Sequence, residues 1–354
     1  MDIRAELRNK RMEFLKEIDR AASPIEFYDV QKNIILEIID SEKKYFNGRE
    51  EAYRDHVLVL RNYGDTIPWL ILNQKSISKI YNRNTSLYFL NNNVEKIMQV
   101  LEQGKDYATL GHLIILGAST NLFFGTDIVV CDDKKEPICL NFSKPNDEEE
   151  KVINFQALKI RKDFAEGRNR KKLIKKCGFS ADDRVISDNW EKIDASIEKA
   201  MTLEEGYCSI EDGNFIWAFK YNGDMPDMNE EISKVIKGYN RPMVGCHFTI
   251  LDEPELMIPP PSCWPIKLSS RMALMEGDIA LMHYIDLEIL KSIEKADGYI
   301  KDILYEGSKL KEECIVVSSR QREKTYSAKY INDILYGYCE IWDIANQLID
   351  NMCI

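Results

Sequence analysis

Residues 123–144 read FFGTDIVVCDDKKEPICLNFSK, and this stretch decides the fold class. Two β-rich runs, 126–130 and 138–142, flank the polar turn Asp132-Asp133-Lys134-Lys135-Glu136-Pro137, so the pattern predicts a β-hairpin. Everything before it reads as helical. Leu7, Phe14, Leu15 and Ile18 share one face of a first amphipathic helix. Ser23-Pro24-Ile25-Glu26 then combines a capping Ser, a Pro at the first helical position and a Glu that reaches back, which starts a second helix burying Phe27, Val30, Ile34, Ile35 and Ile38. A third apolar pattern over 51–72 is interrupted by Gly64 and Pro68, with Asp65 at the break. A fourth, over 92–103, places Val94, Ile97, Met98 and Leu101 on one face and takes Gly104 as its stop.

Beyond the hairpin come the acidic run Asp147–Glu150, a helical stretch that turns strongly basic, and a helix over 188–201 with Ile186, Trp190, Ile193, Ile197 and Met201 on one stripe. YCSIEDGNFIWAFKY, residues 207–221, is strand-like on both sides of a Glu-Asp-Gly-Asn turn, and RPMVGCHFTIL, 241–251, is a further strand. Pro259-Pro260-Pro261 reads as an extended connector, with Trp264 beside it as an aromatic open to a partner. A strand over 277–285 leads into a helix capped by Asp286 and running to Gly298. The last helix, 327–352, repeats Ile331, Ile334, Tyr338, Ile341, Ala345, Leu348 and Met352, widened by Leu335, Trp342 and Ile349. A face this broad is expected to pack into a core, so that Trp342→Ala lowers the melting temperature; a homodimer through this helix is the alternative. The elements define an α/β chain of mixed α+β character: a helical N-terminal part, a central mixed sheet with the hairpin, and a β-rich second part closed by the long C-terminal helix. The division falls between 1–180 and 181–354.

Composition narrows the function. The 354 residues carry a formal net charge of −11, which argues against a surface that coats duplex nucleic acid throughout but permits a local basic site. Nine cysteines, with no CxxC pair, disfavour a disulfide framework. The charged N-terminus lacks the apolar stretch of a signal peptide, and no apolar run approaches the roughly 18 residues of a membrane span, so a cytoplasmic location without membrane attachment is expected. Abundant Ile, Lys and Asn suggest an AT-rich microbial genome. GxxxxGK[ST], GxGxxG, GxSxG and HExxH are all absent, and His56, His112, His247 and His283 are too scattered for a metal motif.

An upstream helix, an Asp opening one strand, a turn and a second strand ending in a polar residue together resemble the PD-(D/E)xK nuclease core, over residues 50–165. That resemblance implies a first acid and an acid-x-Lys triplet that hold a divalent metal, Mg²⁺, and position water for phosphodiester hydrolysis. Transferred to this chain, Asp127 is the first acid and metal ligand, while the triplet falls on Asn141-Phe142-Ser143 with Lys144 one place beyond. Strand alternation puts Asn141 and Ser143 on one face and Lys144 on the other. Asp127, Asn141 and Lys144 are thus the candidate catalytic residues. Asn141 offers one neutral oxygen in place of a charge, so a degenerate, non-cleaving nuclease-like core is expected, with no cofactor or weakly held Mg²⁺. An ordinary core hairpin whose Asp127 opens a strand remains open.

The basic stretch carries Lys159, Arg161, Lys162, Arg168, Arg170, Lys171, Lys172, Lys175 and Lys176 against Asp163 and Glu166, a local charge of +7. It is the candidate nucleic-acid-binding face for DNA or RNA; a solvated helix face or an internal dock for the acids of 147–150 is the bland counterpart. The expected function is therefore a nucleic-acid-associated protein with a degenerate nuclease-like core, in microbial defence or a mobile element. A non-enzymatic protein–protein interaction or scaffold protein and an active Mg²⁺-dependent nuclease are the alternatives.

Overall fold

A computed structural model of the chain describes residues 3–72, 89–123, 126–132, 135–141, 151–152, 190–203, 206–211, 213–221, 227, 230, 237, 241–248, 260–295, 298–306, 309–319, 322–327 and 341–353. The chain falls into two compact units, one of Met1–Asp183 with Pro259–Pro265, the other of Arg184–Ile258 with Ile266–Ile354. Both combine helices with antiparallel sheets, a mixed α+β class.

In the first unit, helices α1 (Ile3–Arg20), α2 (Pro24–Gly48), α3 (Glu51–Gly64), α4 (Thr66–Ile71) and α5 (Val94–Thr109) precede a sheet of β1 (Leu113–Leu116), β2 (Ile128–Asp132), β3 (Lys135–Leu140) and β4 (Lys151–Val152), on whose β1 side α2 and α5 pack. The start of α2 follows from its cap. Ser23 Oγ accepts from the Glu26 amide at 3.4 Å, and the Glu26 carboxylate accepts from the Ala22 amide at 2.8 Å, with Pro24 needing no donor. The break after α3 falls at Asp65, and Pro68 sits in the first turn of α4, where its missing N–H has no helical acceptor to lose. Buried Phe27, Ile34, Ile35 and Ile38 of α2 meet β1, whose Ile114, Ile115 and Leu116 are also fully buried.

The sheet is a meander, β1-β2-β3-β4, antiparallel at every pairing. That corrects the expected mixed sheet. The hairpin forms, pairing Ile128 with Leu140 and Val130 with Ile138. Its turn is tighter than the six polar residues suggested, because Asp132 already pairs with Lys135. Between those pairs one β2 residue faces two of β3, a bulge at Glu136 and Pro137.

Gly104 does not end α5, which runs on to Thr109. A Cβ at Gly104 would press on Leu116 Cδ2 at 3.0 Å and Ile114 Cδ1 at 3.1 Å, so the glycine lets the helix lie close on β1. Met98, expected on the apolar face, is exposed. The expected connector also differs: residues 261–263 form a buried 3-10 turn, and Trp264 is only 1% exposed and so closed to any partner. Ser262 Oγ bonds Thr66 Oγ1, and Cys263 Sγ reaches the Thr66 carbonyl at 3.8 Å, fastening this turn to α4.

The second unit holds two antiparallel sheets. One orders β5 (Tyr207–Glu211), β6 (Asn214–Lys220), β8 (Ile279–Asp286) and β7 (Met243–Phe248), with α6 (Trp190–Thr202) and α7 (Leu268–Met275) packed beside it. Glu211 pairs with Asn214 across Gly213, whose φ of +83° is why glycine stands in that turn. Phe215, Trp217, Phe219, Ala280 and Met282 form its core. Asp286 caps α8 (Leu287–Lys291) through the amides of Glu288 and Ile289 at 2.8 and 3.1 Å. That helix stops at Lys291 rather than near Gly298, and a second sheet follows: β9 (Glu294–Lys295), β10 (Gly298–Glu306), β11 (Lys309–Ser318) and β12 (Glu323–Ser327).

Helix α9 spans Ile341–Cys353, and residues 328–340 of the expected longer helix lie outside the described residues. It lies on this second sheet, where Tyr326 Oη donates to the Leu348 carbonyl at 2.8 Å. Ile341, Ile344, Ala345, Leu348 and Ile349 are fully buried, but Trp342 is 52% exposed. The broad face is narrower than its apolar residues implied. Trp342 lies at its edge, so the melting loss expected of Trp342→Ala has no buried ring behind it.

Candidate functional site

Asp127 stands immediately before β2. Its amide donates to the Leu140 carbonyl at 3.1 Å and its carbonyl accepts from the Gly117 amide at 3.0 Å, which ties it to strands on both sides. Ile128 faces Leu140, the last pair of the hairpin's register, with Asp127 just before it on one strand and Asn141 just after it on the other, at the open end of the hairpin. Asn141 is exposed, while the Asp127 side chain is mostly buried. A third group completes this arrangement. Lys96, in the first turn of α5, places Nζ 2.9 Å from Asp127 Oδ1.

The acid and the amide that the resemblance selected flank the Ile128–Leu140 pair; the cation on the acid comes from a helix 31 residues upstream, which no strand spacing could indicate. Lys144 lies outside the described residues, as do Lys159, Arg161, Lys162, Arg168, Arg170, Lys171, Lys172, Lys175 and Lys176. The groups around Asp127 do not fit Mg²⁺ well. The ion demands close to six oxygens, whereas the Asp127 carboxylate is held by an ammonium, which competes with a cation for it. Among the described residues no group of three or more His, Cys, Asp or Glu side chains could hold a metal ion.

Asp65, noted at the helix break, is committed elsewhere. It accepts from Thr120 Oγ1, from the Asn121 amide at 2.6 Å and from Asn121 Nδ2 at 3.2 Å. It therefore pins the β1–β2 connection to the α3–α4 junction. Cys131, Cys139, Cys263 and Cys314 are buried and form no disulfide; burial pushes the Cys131 and Cys314 thiols up, away from the thiolate form.

One buried polar network links the first three helices. His56 of α3, with no exposed surface, accepts at Nδ1 from Arg11 Nη1 at 3.2 Å and donates from Nε2 to Glu37 Oε1 at 3.3 Å. Glu37 also accepts from Lys10 Nζ at 3.0 Å. Burial pulls the imidazole pKa below 6.5, assisted by the charges of Arg11 and Lys10 and opposed by Glu37. On Glu37, burial pushes upward, but the bonds from His56 and Lys10 outweigh it and leave the carboxyl below 4.5. A histidine lowered in the fold contributes stability above its unfolded pKa, and that contribution declines as pH falls from 6.5 toward the folded value. Urea unfolding at pH 7.5 and 5.5 should therefore show the wild type losing more stability on acidification than His56→Gln. Equal losses would place the proton elsewhere.

No protein-family model, curated protein or solved structure matches this chain. Among the described residues no helix is long and apolar enough to cross a membrane.

Proposed function

We propose that this chain is a nucleic-acid-associated protein whose first unit carries a degenerate, non-cleaving PD-(D/E)xK-like core, with the basic run 159–176 as its phosphate-contacting face. The observation that carries this reading is the ion pair of Lys96 with Asp127 at the open end of the hairpin. A helix leading into an antiparallel meander, with an acid entering its second strand, supports the kinship; an ammonium on that acid and an amide where the second acid belongs favour binding without cleavage. By analogy with that core the setting is microbial defence or a mobile element.

The test is a salt titration of DNA and RNA binding. Each phosphate contact contributes about 0.9 to the slope of log affinity against log salt, so converting Arg168, Arg170, Lys171 and Lys172 to Ala should weaken binding and flatten that slope by up to about 3.6. Unchanged binding by the quadruple variant removes the basic-face proposal. In parallel, 10 mM Mg²⁺ should produce no cleavage; robust cutting that disappears in Asp127→Ala would make the protein an active nuclease instead.

A further inference from the structure

Three helices of the first unit meet at His56, and its neighbours leave the ring one protonation state. A guanidinium has no acceptor to offer, so Arg11 Nη1 of α1, 3.2 Å away, can only donate, and Nδ1 must stay bare to receive it. Nε2 then carries the hydrogen that is donated to Glu37 Oε1 of α2 at 3.3 Å. An imidazolium would have hydrogens on both nitrogens and would set a second donor against the guanidinium. Charge adds to this conflict. The groups facing the ring are Lys10 and Arg11 from α1 and Glu37 from α2, two cations against one anion. Lys44 of α2 also acts on Glu37 but is held by Asp40 at 2.7 Å. On α3 itself, Arg54 and Asp55 are exposed, and Arg54 turns to Glu51 at 3.2 Å. His56 has no exposed surface, so water does not reach the ring to screen an added charge. Among the described residues α1 buries Leu7, Leu15 and Ile18, fewer than any of the other four helices of the unit, so its polar contacts matter more to its docking.

We propose that His56 is an acid-operated latch for α1: protonation of the ring expels the Arg11 contact and releases α1 from α2 and α3, while the rest of the unit stays folded. The docked state holds a neutral ring, and the released state exposes the ring and takes up one proton. The equilibrium therefore moves toward release as pH falls below about 6.5, and it stops moving once the docked ring is protonated as well. Between pH 7.5 and 5.5 the shift is at most about tenfold. Release bares the apolar stripe of Leu7, Leu15 and Ile18 together with the helix surfaces it covers. Neighbouring carboxyls do not imitate the latch. Glu37 lies below 4.5 and stays ionised through this range. Burial pushes Glu42 of α2 above 4.5, so its protonation favours the fold and works against release. The latch goes beyond the nucleic-acid reading and does not depend on it.

Native-state hydrogen exchange of the full chain at pH 7.5 and 5.5, corrected for the intrinsic rate at each pH, reads release directly. Complete unfolding also frees His56, so separate release is shown by the level of protection: α1 amides should be less protected than those of α5 at both pH values and insensitive to low urea. On acidification the α1 amides should lose up to about tenfold in protection. His56→Gln keeps an acceptor for Arg11 and a donor for Glu37 without a titrating ring, and its α1 protection should be the same at both pH values. Arg11→Met leaves His56 in place and removes the opposing donor, which guards against a folding defect in the first variant. Its ring, followed by NMR, should titrate nearer 6.5 than the wild-type ring, and the loss in α1 should shrink. Long-range proton–nitrogen spectra of the wild type at pH 7.5 should show the hydrogen on Nε2. A ring protonated at Nδ1 instead, α1 and α5 amides that share one protection and one urea dependence, an α1 that keeps its protection at pH 5.5, or an unchanged loss in His56→Gln would each overturn the latch. All of these readouts are made without nucleic acid, so failure here and failure of the nucleic-acid reading are separately visible.

Discussion

Gly64→Ala is expected to leave little folded protein, with a loss of about 4 kcal/mol or more, at the extreme end of single substitutions. A Cβ at Gly64, the last residue of α3, would lie 1.6 Å from the Ser119 carbonyl oxygen and 2.6 Å from its carbon. Both partners are backbone, so no rotamer change relieves the overlap, and the turn that would have to retreat is held by Asp65 through Thr120 and Asn121. Gly117→Ala should behave alike, because its Cβ would meet the Thr126 carbonyl oxygen at 1.7 Å. Two controls separate this from a general intolerance of alanine. Gly48→Ala makes only ordinary contacts near 3.7 Å, and Gly111→Ala, in open space at φ +89°, carries backbone strain of roughly 1–2 kcal/mol alone. Urea unfolding of the set reads the order directly. A Gly64→Ala protein within about 1 kcal/mol of the wild type would show that α3 and the 117–119 turn need not approach so closely.

Gln31→Leu should cost about 2–5 kcal/mol, since each buried backbone group left without a partner costs about 1–3 kcal/mol. Gln31 is fully buried on α2, and its amide imitates a neighbouring strand: Nε2 donates to the Ile114 carbonyl at 3.0 Å while Oε1 accepts from the Leu116 amide at 2.8 Å. The same Nε2 reaches the Phe27 carbonyl at 3.0 Å. β1 is an edge strand, and this side chain answers two of its outward backbone groups under cover of a helix. Leucine keeps the volume but strands both groups. Gln31→Glu would do at least as badly, because a carboxylate would face two carbonyl oxygens. Hydrogen exchange at the Leu116 amide is the specific readout, and protection unchanged in Gln31→Leu would show that the strand edge is satisfied otherwise.

The candidate site was half legible. Asp127 and Asn141 stand out by their places at the mouth of a hairpin, on either side of the Ile128–Leu140 pair. Lys96 does not, because an ion pair across 31 residues leaves no local periodicity. The sheet of β10, β11 and β12 also escaped notice. Register shifts at Ile300/Asp302 and Ile303/Tyr305 interrupt the alternation of β10, and Cys314 to Val317 of β11 are all buried, so period two never becomes visible. Trp342 departs in the other direction, being apolar yet exposed on a helix whose buried stripe is narrower than its apolar face.

The sequence by itself determined where backbone hydrogen bonding is settled within three or four residues. Ser23, Pro24 and Glu26 start α2, Gly213 turns β5 into β6, and Asp286 caps α8, each through partners close along the chain. Tertiary structure alone decided what the glycines and buried polar groups are for. Gly104 reads as a helix stop yet serves a helix–strand contact, Gly64 is set by a carbonyl 55 residues away, and Ser262 is joined to Thr66 across 196 residues. The physical reason is that capping and turn chemistry depends on local dihedrals, whereas close approach and the pairing of buried polar groups depend on which surfaces the whole chain brings together.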